Sequence, residues 1–304
     1  METVSEKPAL APARIGSSRA GVGWALAAYI WWGFIPVYFK ALRHVPPLET
    51  LAHRIVWSVV VLAILITALR RWRAVAQVVR NRRLLALLLL STALLASNWF
   101  VFIWAVAHEH VLDASLGYFI NPLVSVFLGS TVLGERLTRA EWIAVALTAV
   151  AVSGLTLALG AAPWVALWLA GSFAMYGLVR KIAQVSALEA LTVETALLLP
   201  AAVAYLLVRE AGGGLVFGTG SPSTDALLLS AGVITAVPLL CFGFAVGRLR
   251  LSTMGVLQYV SPSLQLLLAV AAYHEPFLAA EKAAFVCIWA ALAIFTADNL
   301  RRTT

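Results

Sequence analysis

The sequence predicts an all-α transmembrane fold, a ten-helix bundle made of two inverted five-helix repeats, and three observations carry that prediction. The 304 residues are 62% hydrophobic and 12% charged, with a mean hydropathy of +0.92, far from the roughly 45–50% apolar and 25% charged typical of soluble domains. Ten apolar stretches each reach about 20 residues, the length a hydrocarbon core of ~30 Å requires. The second half also repeats the first at a shift of 140 positions: Glu49 pairs with Glu189, Glu135 with Glu275, Glu141 with Glu281, Phe102 with Phe242 and Pro122 with Pro262. An odd number of spans, duplicated in tandem, must insert its second copy upside down, the arrangement associated with alternating access to a central site.

Residues 1–20 are rich in Pro, Ala and Ser and read as a flexible cytoplasmic tail. The apolar run that follows is longer than a signal-peptide core and has no persuasive cleavage site, so it is the first span. The first repeat, 21–160, holds spans at about 21–40, 48–69, 84–107, 113–133 and 140–159. The second, 161–298, holds 162–181, 187–208, 225–247, 253–273 and 279–297, and 299–304 form a cytoplasmic C-terminal tail. The first span of each repeat aligns better at a shift of 144, pairing Trp24 with Trp168 and Gly33 with Gly177. Thr138 with Glu141 and Ser186 with Glu189 fit capping boxes, and Asp113 is matched across the repeat by Thr253. Glu49 and Glu189 open their helices, where a carboxylate favours the positive end of the dipole. The connection at 209–224, with Gly212-Gly213-Gly214, reads as a flexible external linker.

Lys and Arg set the orientation. Arg70, Arg71, Arg73, Arg80, Arg82 and Arg83 crowd one connection, and with the N-terminus cytoplasmic most other cations fall on the same side; only Lys40, Arg43, Arg209 and Lys282 lie opposite. Both termini are therefore expected in the cytoplasm. The net charge of +8 is accounted for by these short loops meeting lipid headgroups, without nucleic acid. Cys241 and Cys287 lie inside apolar spans that the repeat does not pair, so neither a disulfide nor a metal site is expected.

Polarity inside the bilayer is concentrated in the fourth and ninth spans. Tyr118, Asn121, Pro122 and Ser125 align at 140 with Gln258, Ser261, Pro262 and Gln265. Positions i, i+3 and i+7 share a helix face. Each proline removes an amide donor near mid-span and is expected to kink its helix, as are Pro36 and Pro238. Two readings stand: the polar groups hold helices together, or they wall a substrate cavity, because freed carbonyls at this depth need protein or water beside them. On the cavity reading the substrate-binding set is Trp32, Asn98, Tyr118, Asn121, Tyr176, Gln258, Ser261 and Gln265.

Arg54 and Glu194 fall inside spans at equivalent positions of the repeat, with opposite charge. Either they form a structural pair or a snorkelling arginine, or they mark a pathway. On the second reading Arg54 meets an anionic substrate group, while Glu194 takes a proton or a substrate amine. His53 beside Arg54 is a further coupling or gating candidate.

Trp32-Gly33-Phe34-Ile35-Pro36, the stretch from Glu49 to Ser58, the stretch from Ser115 to Leu123, Gly134-Glu135-Arg136, Leu257-Gln258-Tyr259 and Glu275-Pro276 resemble the RarD family of EamA-type transporters, in the drug/metabolite transporter superfamily. That resemblance implies the same ten-helix fold, a bacterial inner-membrane location, and secondary transport, most often export, of small metabolites or drugs, with an amino-acid-like or aromatic solute as the expectation. The alternative is a channel or lipid flippase. No phosphate loop of the G-x-x-x-x-G-K-[ST] type is present, and His108-Glu109-His110 lacks the spacing of a helical metal site, so neither an ATP-driven pump nor an enzyme is expected. No cofactor is expected. The expected partners are a small-molecule substrate, the lipid bilayer and protons, with a homodimer left open and no nucleic acid.

Overall fold

The computed structural model describes residues 18–133, 138–160, 162–219, 221–246 and 257–303. The tail to residue 17, the Gly134-Glu135-Arg136 stretch and the Thr253 cap lie outside the described residues.

Among the described residues eleven α-helices follow one another: α1 (Ser18–Ala41), α2 (Pro47–Ala68), α3 (Trp72–Arg80), α4 (Arg82–Ala107), α5 (Val111–Leu133), α6 (Arg139–Leu159), α7 (Trp164–Ala183), α8 (Ala187–Ala211), α9 (Pro222–Val246), α10 (Val260–Leu267) and α11 (Ala279–Thr303). Seven of them, α1, α2, α4, α5, α7, α8 and α9, contain stretches long and apolar enough to cross a membrane; Trp142–Ala158 in α6 and Val260–Ala272 around α10 are shorter apolar helices. The fold is all-helical. The element the sequence did not disclose is α3, nine residues inside the arginine-rich connection. Its Val75 and Val78 are buried while its arginines stay exposed, so it lies against α4 and α8 as an amphipathic turn of chain rather than a loop. At the chain ends, α1 starts at Ser18, inside the expected tail, and α11 runs through 299–303.

The helices pack in a regular pattern. α1 lies against α9 and α10, and α7 against α4 and α5; α2 and α8 lie against each other, α2 also meets α9, and α8 also meets α4. α6 pairs with α11. Small residues permit the closest approaches, as membrane helix packing requires: a Cβ on Gly232 of α9 would stand 2.3 Å from the Trp57 carbonyl oxygen of α2, and one on Gly117 of α5 would stand 2.7 Å from that of Ala166 on α7.

Several local expectations are corrected. Ser186 makes no side-chain cap bond, because its box partner Glu189 reaches instead to Arg71, 2.5 Å away beyond the end of α2. Glu49 likewise turns away from its own helix: its Oε1 accepts from the Val216 and Phe217 amides at 2.7 and 3.3 Å, and Arg209 of α8 stands 3.7 Å from Oε2. The 209–219 connection is thereby tied down rather than loose, with Gly213 and Gly218 supplying the positive φ its turns need. Glu275 closes the N-terminus of α5, accepting from the Val111 and Leu112 amides at 3.1 and 2.8 Å.

Prolines act unequally. Pro36, Pro122, Pro200 and Pro238 all sit within helices that continue past them. Among the described residues the ninth span is interrupted: a turn at Tyr259 precedes α10 and Pro262, and a π-helical turn at Leu268–Ala272 ends it. The difference follows from position, since Pro262 lies in the first turn of α10, where its missing N–H costs little, whereas Pro122 is absorbed by a helix clasped between neighbours.

Candidate functional site

A cavity of about 820 Å³, part of it open space at its mouth, lies where α1, α2, α4, α5, α7, α9 and α10 converge. Two aromatic patches form much of its wall. In one, the Tyr29 and Trp32 rings of α1 meet Phe242 of α9 with centroids 6.3 and 5.7 Å away. In the other, Phe39 of α1 meets Phe102 of α4 and Tyr118 of α5 meets Phe173 of α7 edge to face at 5.9 and 6.2 Å, and the Phe102 and Tyr118 rings are tilted on each other at 5.8 Å.

A polar seam joins the patches. The Tyr118 hydroxyl donates to Asn98 Oδ1 at 3.2 Å, and Asn98 Nδ2 is spent on the Leu169 carbonyl and Ser172 Oγ, at 3.1 and 2.9 Å. One turn along α5, Asn121 Oδ1 accepts from Gln258 Nε2 at 3.1 Å, while Asn121 Nδ2 holds the Ala170 carbonyl of α7 at 2.9 Å. Gln265 Nε2 donates to the Trp32 carbonyl at 3.0 Å and to Ser261 Oγ at 3.4 Å; its Oε1 is buried without a partner. Ser115 of α5 donates to the Pro262 carbonyl at 2.7 Å, binding the two polar helices to each other.

Arg54 faces this space from α2. It is 7% exposed, its Nε donates to Thr235 Oγ1 of α9 at 2.8 Å, and its guanidinium carbon stands 4.1 Å from the Trp99 ring centre and 5.6 Å from that of Phe39.

Of the residues expected at the site, Trp32, Arg54, Asn98, Tyr118, Gln258, Ser261, Pro262 and Gln265 line the cavity. Asn121 stands behind Gln258 and orients it. Tyr176 is turned away: its ring packs on Phe173 at 5.7 Å and its hydroxyl lies beside Glu194. Glu194 is 1% exposed in a separate cluster, accepting from Ser91 Oγ of α4 at 2.6 Å with Arg180 of α7 at 3.8 Å. Arg54 and Glu194 do not meet, because each reaches across to a different neighbouring helix. His53 also faces elsewhere, accepting from Trp57 Nε1 at 3.3 Å and packing on Phe217 at 4.8 Å. Pro36, Pro122 and Pro238 are not in the wall.

Sequence reasoning did not assign Tyr29, Phe39, Trp99, Phe102, Phe173 or Phe242. For two of these a signal existed, since Phe102 and Phe242 coincide at the repeat shift and each stands in one of the two patches.

Residues 19–157 match the EamA-like transporter family. An uncharacterized transporter from Vibrio cholerae serotype O1 is 47% identical over 284 residues, covering 93% of this chain and 94% of its own. Proteins called RarD from Salmonella typhi and Escherichia coli (strain K12) are 47% and 44% identical, over 93% and 94% of this chain and 96% and 98% of theirs. A solved crystal structure with 20% identity superposes with a TM-score of 0.61 over 92% of this chain and 99% of that one, a likeness of fold.

Proposed function

Because the chain belongs to the RarD group of the EamA-like transporter family, we propose that it is a secondary active transporter which exports small metabolites or drugs, amino-acid-like or aromatic in character, by alternating access of the central cavity. The observation that carries this reading is the cavity itself: polar and aromatic groups from seven helices converge well inside the apolar spans, where unspent polarity is costly unless a solute or water uses it.

The moving parts are the two inverted five-helix halves, 21–160 and 161–298, with α3 as an accessory outside the ten. The packing pattern supports this, since it is unchanged when the halves are exchanged: α1 on α9 and α10 corresponds to α7 on α4 and α5, and α2 on α9 to α8 on α4. Tyr118 and Gln258, and Phe102 and Phe242, are the corresponding positions around the cavity. Bacterial relatives and multiple apolar helices support an inner-membrane protein, and the arginine distribution supports cytoplasmic termini.

Substrate contact falls to Trp32, Asn98, Tyr118, Gln258, Ser261 and Gln265, with Asn121 as a positioning residue. Coupling to protons falls to Glu194, a buried carboxylate outside the substrate's space and bonded to both α4 and α7. A homodimer is compatible with the exposed outer faces and is not needed by the cavity. Reconstituted vesicles test the reading: saturable counterflow from a panel of aromatic and amino-acid-like solutes is expected. Ion currents at channel rates without counterflow would make it a channel, and lipid scrambling alone a flippase.

A further inference from the structure

Among the described residues Arg54 is the one charged side chain in the wall of the cavity, and no carboxylate pairs with it. Its protein contacts are the Thr235 hydroxyl, the faces of Trp99 and Phe39, and the nearby Tyr38 and Tyr118 hydroxyls. A guanidinium presents five donors in a rigid fork suited to a planar oxyanion. Thr235 occupies the Nε edge and thereby restrains the plane of the fork, and no carboxylate occupies the terminal nitrogens among the described residues. A cation held this deep without a counter-ion is costly, which is the condition under which an entering anion gains most.

The rest of the wall specifies what accompanies the anion. Two aromatic patches, sharing the face of α1 that carries Trp32 and Phe39, line the cavity and suit a flat, apolar ring system. The buried Gln265 Oε1 without a partner is an acceptor waiting for a donor such as a ring N–H or hydroxyl. Among the described residues no Asp or Glu lines the cavity. Glu194, which would be the natural partner of a substrate ammonium, is committed to Ser91 and Arg180 in its own cluster.

We infer that the cavity is a site for aromatic monocarboxylates, whose carboxylate is taken by Arg54 and whose ring lies against the aromatic wall, and that a substrate ammonium group is disfavoured. This rests on the transport reading for its purpose, although the binding chemistry stands apart from it. The class is organic anions with a planar ring and one ring-borne hydrogen-bond donor, not zwitterions or cations.

Three indoles with the same ring and different heads test this on the purified full chain in detergent: indole-3-propionate (anion), tryptophan (zwitterion) and tryptamine (cation), by equilibrium binding and thermal shift. Expected is indole-3-propionate binding at least about tenfold tighter than tryptophan, with tryptamine weakest. Arg54→Gln should erase that order, and Arg54→Lys, which keeps the charge but not the fork, should retain the preference at reduced affinity. Should Arg54→Gln fail to fold, the wild-type order and Arg54→Lys still decide. Tryptophan or tryptamine binding as tightly as the acid, no binding by any of the three, or an unchanged order in folded Arg54→Gln would each overturn the inference. Counterflow of other solutes without anion preference would sink this inference and leave transport intact, whereas tight indole-3-propionate binding without any vesicle transport would do the reverse.

Discussion

The bond between Gln258 and Asn121 joins the two halves at the cavity, and its removal can be followed quantitatively. Asn121 is 2% exposed, accepts from Gln258 at 3.1 Å and donates to the Ala170 carbonyl at 2.9 Å, so it links α5 to the segment before α10 and to α7 at once. Side-chain hydrogen bonds between membrane helices contribute about 0.6 kcal/mol on average and up to ~1.7 kcal/mol. Asn121→Ala breaks two such bonds and should cost about 1–3 kcal/mol; Gln258→Ala breaks one and should cost about 0.5–1.5 kcal/mol. The double variant should then cost less than the sum, by about 0.6–1.7 kcal/mol, since the shared bond is counted once. Unfolding titrations of the four proteins in one detergent measure this coupling. Binding of a ligand to the same set should fall with Gln258→Ala and fall partway with Asn121→Ala, which frees the amide without deleting it. Additivity within about 0.3 kcal/mol would refute the claim that Asn121 acts by holding Gln258.

Other expectations follow from single contacts. Glu194→Gln should abolish dependence of vesicle transport on a pH gradient while exchange persists, and unchanged dependence would remove Glu194 from coupling. Gly232→Ala should cost at least about 1–3 kcal/mol, read by unfolding titration, because its Cβ would collide with the backbone of α2; a neutral effect would mean that α2 and α9 are not in backbone contact. Burial pushes the Glu275 carboxyl above the usual carboxylate range, with the Val111 and Leu112 amides opposing it more weakly. The folded state therefore holds this proton more tightly than the unfolded state, and its stabilisation is present at low pH and lost as pH rises through the raised value. Glu275→Gln should flatten that part of the melting-temperature profile, and superimposable profiles would contradict it.

What the sequence disclosed was depth, and what it left out was direction. Tyr118, Gln258, Ser261, Gln265 and Arg54 were legible because a polar group inside an apolar span is conspicuous, and the repeat placed them at matching heights. Glu194 and Tyr176 were legible for the same reason and yet face another cluster, since the rotation of α7 and α8 is decided by tertiary contacts such as Ser91 with Glu194. The aromatic wall escaped for the converse reason: Phe39, Trp99 and Phe173 differ from the exposed Phe34, Trp24 and Phe127 only in which way their helices turn. Helix α3 was hidden by its arginines, although Trp72, Val75 and Val79 already carry a helical period.

The two glutamates at the starts of α2 and α8 bear on motion. Arg209 grips Glu49 at one end of this antiparallel pair, and Arg71 grips Glu189 at the other, each carboxylate almost wholly withdrawn from solvent. A couple riveted at both extremities resists scissoring and sliding alike, since either would strand a desolvated charge. On the proposed transport reading, α2 and α8, one from each half, are the axle, and the two halves rock about that shared line rather than parting along it.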